Sequence, residues 1–303
     1  MPLIFDIPPD AYDLPEQMGT KFKFWYQDPL LGRTLFKEGR PNTGENWAEK
    51  LAGELALMLG IPHAVYEFAR WRDKQGVLSP SFVPTAGRLI HGNELLGGRV
   101  TEAQDDKQIK YYAQRSHTAS AVIALLKSDF IHPPRDYMGE LKAIDIFVGY
   151  LLFDAWIANQ DRHSENWGLV RLRETLYLAP SYDHGSSLAR NESDEKRSHI
   201  LVTKDKGSSL DTFCRRARSA LYPTGSVQGK VRSLLTTEAF EFAWQHTNNE
   251  CGNFWLDRLA AITPVTIRDT IQFIPDELMT PVSKEFTEQL LLINRNRLLA
   301  MKK

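Results

Sequence analysis

Residues 143–158 read AIDIFVGYLLFDAWIA, apolar on almost every side. A helix with no polar face belongs inside a core, with the rest of the chain folded around it. A membrane span is the competing reading of such a run, but Asp145 and Asp154 would then sit in hydrocarbon at considerable cost. The run is therefore expected to be a core helix. It leads into the polar loop NQDRHSEN, and then into WGLVRL and LYLAPSY, which read as two short strands joined by the turn RET. The segment YDHG follows and places Asp183 just beyond the hairpin.

A chain of 303 residues with 42% hydrophobic content has enough apolar side chains for a sizeable core, and its length suits one bilobal domain or two small ones. A net charge of -1 gives no general attraction to nucleic acid or anionic membrane, so direct nucleic-acid binding is not expected. The opening MPLIFDIPPDAYD is acidic and broken by prolines, unlike a secretory leader. Cys214 and Cys251 lie far apart without metal-ligand spacing, and the eight histidines form no HExxH pattern. Two reduced thiols and no membrane segment suit a cytoplasmic protein.

Along the chain, an irregular start precedes KFKFWYQ, which alternates as a half-buried strand. DPLLG turns it into a second strand, RTLFKEG. WAEKLAGELALML has helical spacing, with Asn46 or Thr43 as N-cap and Gly60 as terminator. AVYEFARW and GVLSPSFV read as two further strands about the turn DKQG. The remainder is mostly helical, from QIKYYAQRSHTASAVIALL to EFTEQLLLINRNRLLAMKK. It is interrupted by the hairpin and by the charged stretch RNESDEKRSHILVTKDKGSS, where disorder or a substrate-dependent conformation is expected. The basic cluster Arg215, Arg216 and Arg218 is read as a solvated helix face.

Four residues separate Asp161 from Asn166, the spacing of the protein-kinase catalytic loop. There the Asp accepts or orients the substrate hydroxyl and the Asn holds magnesium. Asp183 then stands where a second metal-binding carboxylate, the DFG aspartate, would lie. Hard oxygen donors of this kind suit Mg2+. Phosphoryl transfer also needs a fixed ammonium near the phosphates and a carboxylate to hold it. Lys37 in the second strand and Glu49 in the first turn of the helix fit, with Glu45 and Glu54 as competitors for the second role. His163 either touches the nucleotide or structures the loop, and Tyr182 either packs beside the nucleotide or belongs to the core.

The segments NQDRHSENWGL and APSYDHGSSL resemble those of the HipA-like serine/threonine kinases, the toxin kinases of bacterial persistence modules. GTKFKFWY and RTLFKEG resemble that family's phosphate loop and lysine strand, and AEKLAGELALMLGI resembles its next helix. GVLSPSF and the terminal EFTEQLLLINRNRLLA extend the likeness over most of the chain, in a short form without the extra N-terminal subdomain of longer members. The resemblance implies an α+β, bilobal protein-kinase-like fold with a small, mostly β N-lobe over 1–95 and a larger helical C-lobe over 96–303. It implies that Gly19, Thr20 and Lys21 form the phosphate loop and that Ser81 and Phe82 lie at the adenine hinge, Pro80 having no amide to donate. It further implies ATP and Mg2+ as cofactors, self-phosphorylation at Thr20, an aminoacyl-tRNA synthetase as protein substrate and a separate antitoxin. The alternatives are a small-molecule or lipid kinase and, from another class, a nucleotide-binding pseudokinase acting as an interaction module.

Overall fold

The computed structural model describes residues 3–12, 14–15, 22–97, 117–223 and 232–302. In chain order the described elements are β1 (Ile4–Ile7), β2 (Leu14–Pro15), β3 (Lys23–Asp28), β4 (Gly32–Glu38), α1 (Glu45–Leu59), β5 (Glu67–Trp71), β6 (Lys74–Pro80), β7 (Gly87–His91) and α2 (Gly92–Leu96). They continue with α3 (Ala119–Leu126), β8 (Ile131–His132), α4 (Ala143–Ile157), β9 (Gly168–Leu172), β10 (Thr175–Leu178), α5 (Asp194–Val202), α6 (Leu210–Arg215), α7 (Thr236–Gln245), α8 (Asn249–Ala261), α9 (Pro264–Gln272) and α10 (Pro281–Leu299). The architecture is α+β. The chain divides into two compact units: Met1–Phe82 with Asp183–Cys214 and Ile262–Ile293, and Val83–Tyr182 with Arg215–Ala261 and Asn294–Lys303.

The first unit is built on a six-stranded sheet in the order β1-β5-β6-β4-β3-β2. β1 pairs in parallel with β5, and the other ladders are antiparallel. Alternation in β3 and β4 sends Phe24, Tyr26, Thr34 and Phe36 to one face, where the aromatic residues join Ile7, Trp71 and Leu78 in a common core. Lys37, one residue beyond Phe36, therefore points to the other face. α1 packs against β5 and β6, and Gly60 closes it in the left-handed region at φ 76°.

The second unit contains a four-stranded sheet in the order β7-β9-β10-β8 and the helix read as its core. Every residue of α4 except Asp145 is buried, which is what an all-round apolar sequence requires. α4 packs against α7 and α8, and α3 against α4 and α7.

Several local expectations need correction. The start of the chain is not wholly irregular, because Ile4–Ile7 adds a parallel strand to the sheet. α1 is capped at Gly44 without a side-chain hydrogen bond, rather than by Asn46 or Thr43. Trp71 pairs with Lys74, so the hairpin turns at Arg72 and Asp73 rather than through DKQG, with Arg72 at φ 53°. The described part of the helix expected from residue 108 begins at Ala119, where the Thr118 hydroxyl accepts from the Ala121 amide. The charged stretch after Asp183 is ordered: Ser193 caps α5, and Arg197 within it is buried. Residues 87–91 form a strand that went unrecognised in the sequence.

Candidate active site

In the first unit Lys37, Glu49 and Asp183 come together. Lys37 Nζ donates to Glu49 Oε2 at 3.0 Å and to Asp183 Oδ1 at 2.5 Å. Glu49 is 1% exposed and Asp183 is 38% exposed, so one carboxylate is sealed in and the other faces outward. The competing glutamates are engaged elsewhere: Glu54 with Lys50 and Glu45 with Arg190. Helical spacing puts Glu45 and Glu49 on one face of α1.

The backbone after β10 is bent to this cluster. Asp183 lies in the left-handed region at φ 57°, its amide donating to the Tyr66 hydroxyl at 2.9 Å, and the His184 amide donates to Glu49 Oε1 at 2.6 Å. A Cβ on Gly185 would come within 2.7 Å of Glu49 Oε2, so a larger residue at the third position of the Asp-His-Gly run would have to displace the carboxylate that Lys37 and the His184 amide hold. Burial alone would lower the Lys37 ammonium, but the Asp183 and Glu49 carboxylates outweigh it and hold its pKa well above the ordinary value. Burial raises Glu49 against the pull of Lys37, and the Asp183 charge adds to the rise. Of the two carboxylates on this ammonium, Asp183 stands at the exposed edge, where its oxygens suit a cation.

In the second unit the loop after α4 carries Asp161, His163 and Asn166. Asn166 Nδ2 donates to the Asp161 carbonyl at 2.7 Å. A carbonyl only accepts, so this contact fixes the amide orientation and turns Asn166 Oδ1 the other way. That oxygen accepts no hydrogen bond among the described residues. The donor type and its orientation both fit a magnesium ligand. The Asp161 carboxylate is 43% exposed and stands 3.6 Å from His163 Nε2. His163 Nδ1 accepts from the Glu165 amide at 3.1 Å, which leaves the proton of a neutral ring on the nitrogen facing Asp161. Both of these His163 contacts lie within the loop. The Tyr182 hydroxyl donates to the Glu165 carbonyl at 2.9 Å and lies 3.0 Å from His91 Nδ1, which anchors it to the loop beside Asn166.

Sequence reasoning missed the residues that hold this loop in shape. Arg162 and Asp154 are 1% and 2% exposed and pair bidentately, through Nε to Oδ2 at 2.5 Å and Nη2 to Oδ1 at 2.7 Å. The same guanidinium donates to the Asn166 carbonyl at 3.2 Å and the Ser181 hydroxyl at 2.9 Å. Asn159 completes the network: its Nδ2 donates to Asp154 Oδ1 and its Oδ1 accepts from the Asp161 amide. A carboxylate buried inside an apolar helix signals a charged partner nearby, and Asp154 was visible as such.

Gly19, Thr20 and Lys21 lie outside the described residues. The Ser81 amide donates to the Arg33 carbonyl at 2.8 Å, so it is already engaged in the sheet rather than available to a base. Of the basic cluster, Arg218 donates to the Ser233 carbonyl. Among the described residues no group of three or more His, Cys, Asp or Glu side chains is arranged to hold a metal, and no helix is long and apolar enough to cross a membrane.

Solved structures similar to this chain include a proinflammatory kinase, CtkA, of Helicobacter pylori, with a TM-score of 0.66 and 17% identity over 99% of this chain and 100% of that one. HipA of Shewanella oneidensis, solved with HipB and its operator DNA, is similar with a TM-score of 0.56 and 12% identity over 98% of this chain and 70% of that one. No family model and no curated protein sequence matches. The fold is that of a protein kinase, in the form that HipA and CtkA share.

Proposed function

We propose that this chain is an ATP- and magnesium-dependent serine/threonine protein kinase of the HipA-like type. The observation that carries the reading is the Lys37 ammonium held between the buried Glu49 and the exposed Asp183. A lysine kept charged by two carboxylates is what a polyphosphate needs, and its partners set where the charge sits. When bound, magnesium neutralises the charge that builds on the phosphates; Asn166 Oδ1 and the Asp183 carboxylate are the oxygens that would hold it. Asp161 orients the acceptor hydroxyl and takes its proton. The Arg162–Asp154 pair holds the backbone on which Asp161 and Asn166 ride. His163 keeps its Nε2 toward Asp161.

The remaining assignments belong to the same proposal. Gly19, Thr20 and Lys21 serve as phosphate loop, with Thr20 as a site of self-phosphorylation. With the Ser81 amide engaged by Arg33, Phe82 is the hinge residue nearest the base. The lobes divide near residue 95, and the enzyme works in the cytoplasm. HipA was solved with HipB and DNA; by that likeness an antitoxin is the proposed partner, while the motif resemblance to the HipA-like family suggests an aminoacyl-tRNA synthetase as the proposed substrate.

Incubation with labelled ATP, magnesium and host lysate tests the reading. Label on protein in the wild type, lost in Asp161→Asn with ATP binding retained, supports it. Label on lipid or small molecules instead would make the chain another kind of kinase. ATP binding with no turnover would make it a pseudokinase. Mass spectrometry of the active enzyme against Asp161→Asn tests Thr20, and absence of phosphate there in the active form rejects that site.

A further inference from the structure

The face of α1 that carries Glu49 carries a second buried carboxylate, Glu45, one turn earlier. Glu45 is 3% exposed and pairs with Arg190, itself 6% exposed, seven residues beyond Asp183. Arg190 Nη2 also donates to Ser186 Oγ at 3.1 Å, and its carbonyl accepts from the Gly44 amide at the head of α1 at 3.0 Å. The Arg40 amide donates to the other Glu45 oxygen at 3.0 Å. The segment 183–190 is thus tied to α1 at both ends: at the near end by His184 on Glu49, at the far end by Arg190 on Glu45 and Gly44.

What lies between the ties explains why both are needed. Leu188 and Ala189 are consecutive left-handed residues, at φ 56° and 53°. That region is unfavourable for an L-residue, so such a turn persists only where its surroundings hold it. Released at Arg190, the turn would relax toward ordinary backbone geometry, and the strand of chain carrying Asp183 and His184 would no longer be drawn onto Glu49.

We infer that Arg190 and Glu45 are positioning residues for the proposed phosphoryl transfer: their buried pair clamps the segment after Asp183 onto α1 and so keeps Lys37, Glu49 and Asp183 in register. The inference rests on the kinase reading, but its physical core is separable from it.

The test uses the full-length protein with Arg190→Met and the near-isosteric Glu45→Gln, with folding checked by circular dichroism. Lys37 reactivity toward an amine-acylating reagent is read by mass spectrometry, with Lys302 as internal control. If the clamp keeps Glu49 and Asp183 packed over the Lys37 amine, its loss uncovers that amine and raises Lys37 labelling several-fold in either folded variant. Arg190→Lys, which keeps the charge, should recover part of the protection. Unchanged Lys37 labelling in either folded variant overturns the inference, as does a rise matched at Lys302. Magnesium–ATP binding is measured in parallel and should weaken together with Lys37 protection. If wild-type protein binds no magnesium–ATP while labelling responds to Arg190, the kinase reading fails and the clamp stands.

Discussion

Arg162 shows how much a single side chain holds. Its guanidinium is buried with Asp154 and reaches the Asn166 carbonyl and Ser181, so it serves three groups at once. Removing one partner of a buried pair leaves the other charged and dry, which costs about 3–5 kcal/mol. Asp154→Ala is therefore expected to lower unfolding free energy by about that amount, as measured by urea denaturation. His117 is the opposite case, a buried base kept neutral. Its Nε2 accepts from Trp167 Nε1 at 2.8 Å, and its Nδ1 lies 3.1 Å from the Ala220 carbonyl. Burial, with smaller contributions from His163 and Arg162, pushes it down from 6.5 to about 4, against the Ala220 carbonyl. The unfolded chain takes up a proton there before the native state does, so stability is full above about pH 6.5 and falls as pH drops toward 4. The loss totals about 3 kcal/mol. Denaturation midpoints between pH 7 and 4 should show this slope in wild type and a shallower one in His117→Gln; equal slopes would remove His117 from the account.

Among elements, α4 shows packing overriding propensity. Gly149 sits in its middle, where alanine would ordinarily gain about 1 kcal/mol. A Cβ there would meet the Trp255 ring at 2.4 Å, and Trp255 is fixed by donating from Nε1 to the Asp145 carbonyl at 2.8 Å. Gly149→Ala is accordingly expected to destabilise by about 1–3 kcal/mol despite its better propensity. Thermal or chemical denaturation gives the sign; a stabilised variant would show that α8 can move away from α4 at little cost. α1 presents the other element-scale lesson. Three glutamates shared a helix in the sequence, and which of them meets Lys37 followed only from how the helix turns toward the sheet, with Glu54 on Lys50 and Glu45 on Arg190.

For the whole molecule the proposal makes a linkage prediction. A ligand that binds only the folded chain stabilises it by about 2.7 kcal/mol at a hundredfold excess over its dissociation constant. Magnesium–ATP should therefore raise the unfolding temperature by several degrees in wild type. The rise should shrink when magnesium is withheld, and be largely lost in Lys37→Met. A scan of unfolding temperature against nucleotide concentration reads all three. A full rise in Lys37→Met would separate Lys37 from nucleotide binding.

The core helix, the hairpin, the lysine strand and α1 were legible in the sequence because each is a local pattern: unbroken apolarity, alternation with period two, or helical spacing ended by glycine. Asp161, Asn166 and Asp183 stood out as candidates because metal and hydroxyl chemistry restricts residue type and spacing. Local pattern could not show what depends on distant segments. Ile4–Ile7 becomes a strand only by pairing with Phe68–Trp71. The charged stretch after Asp183 contains the helix Asp194–Val202, with Asp194 bonded to Ser283, a partner 89 residues away. Arg162, an ordinary loop arginine in the sequence, is sealed onto Asp154 in the fold. Composition decides that a charge must be solvated or paired; which partner pairs with it is decided by the packing that excludes water around them.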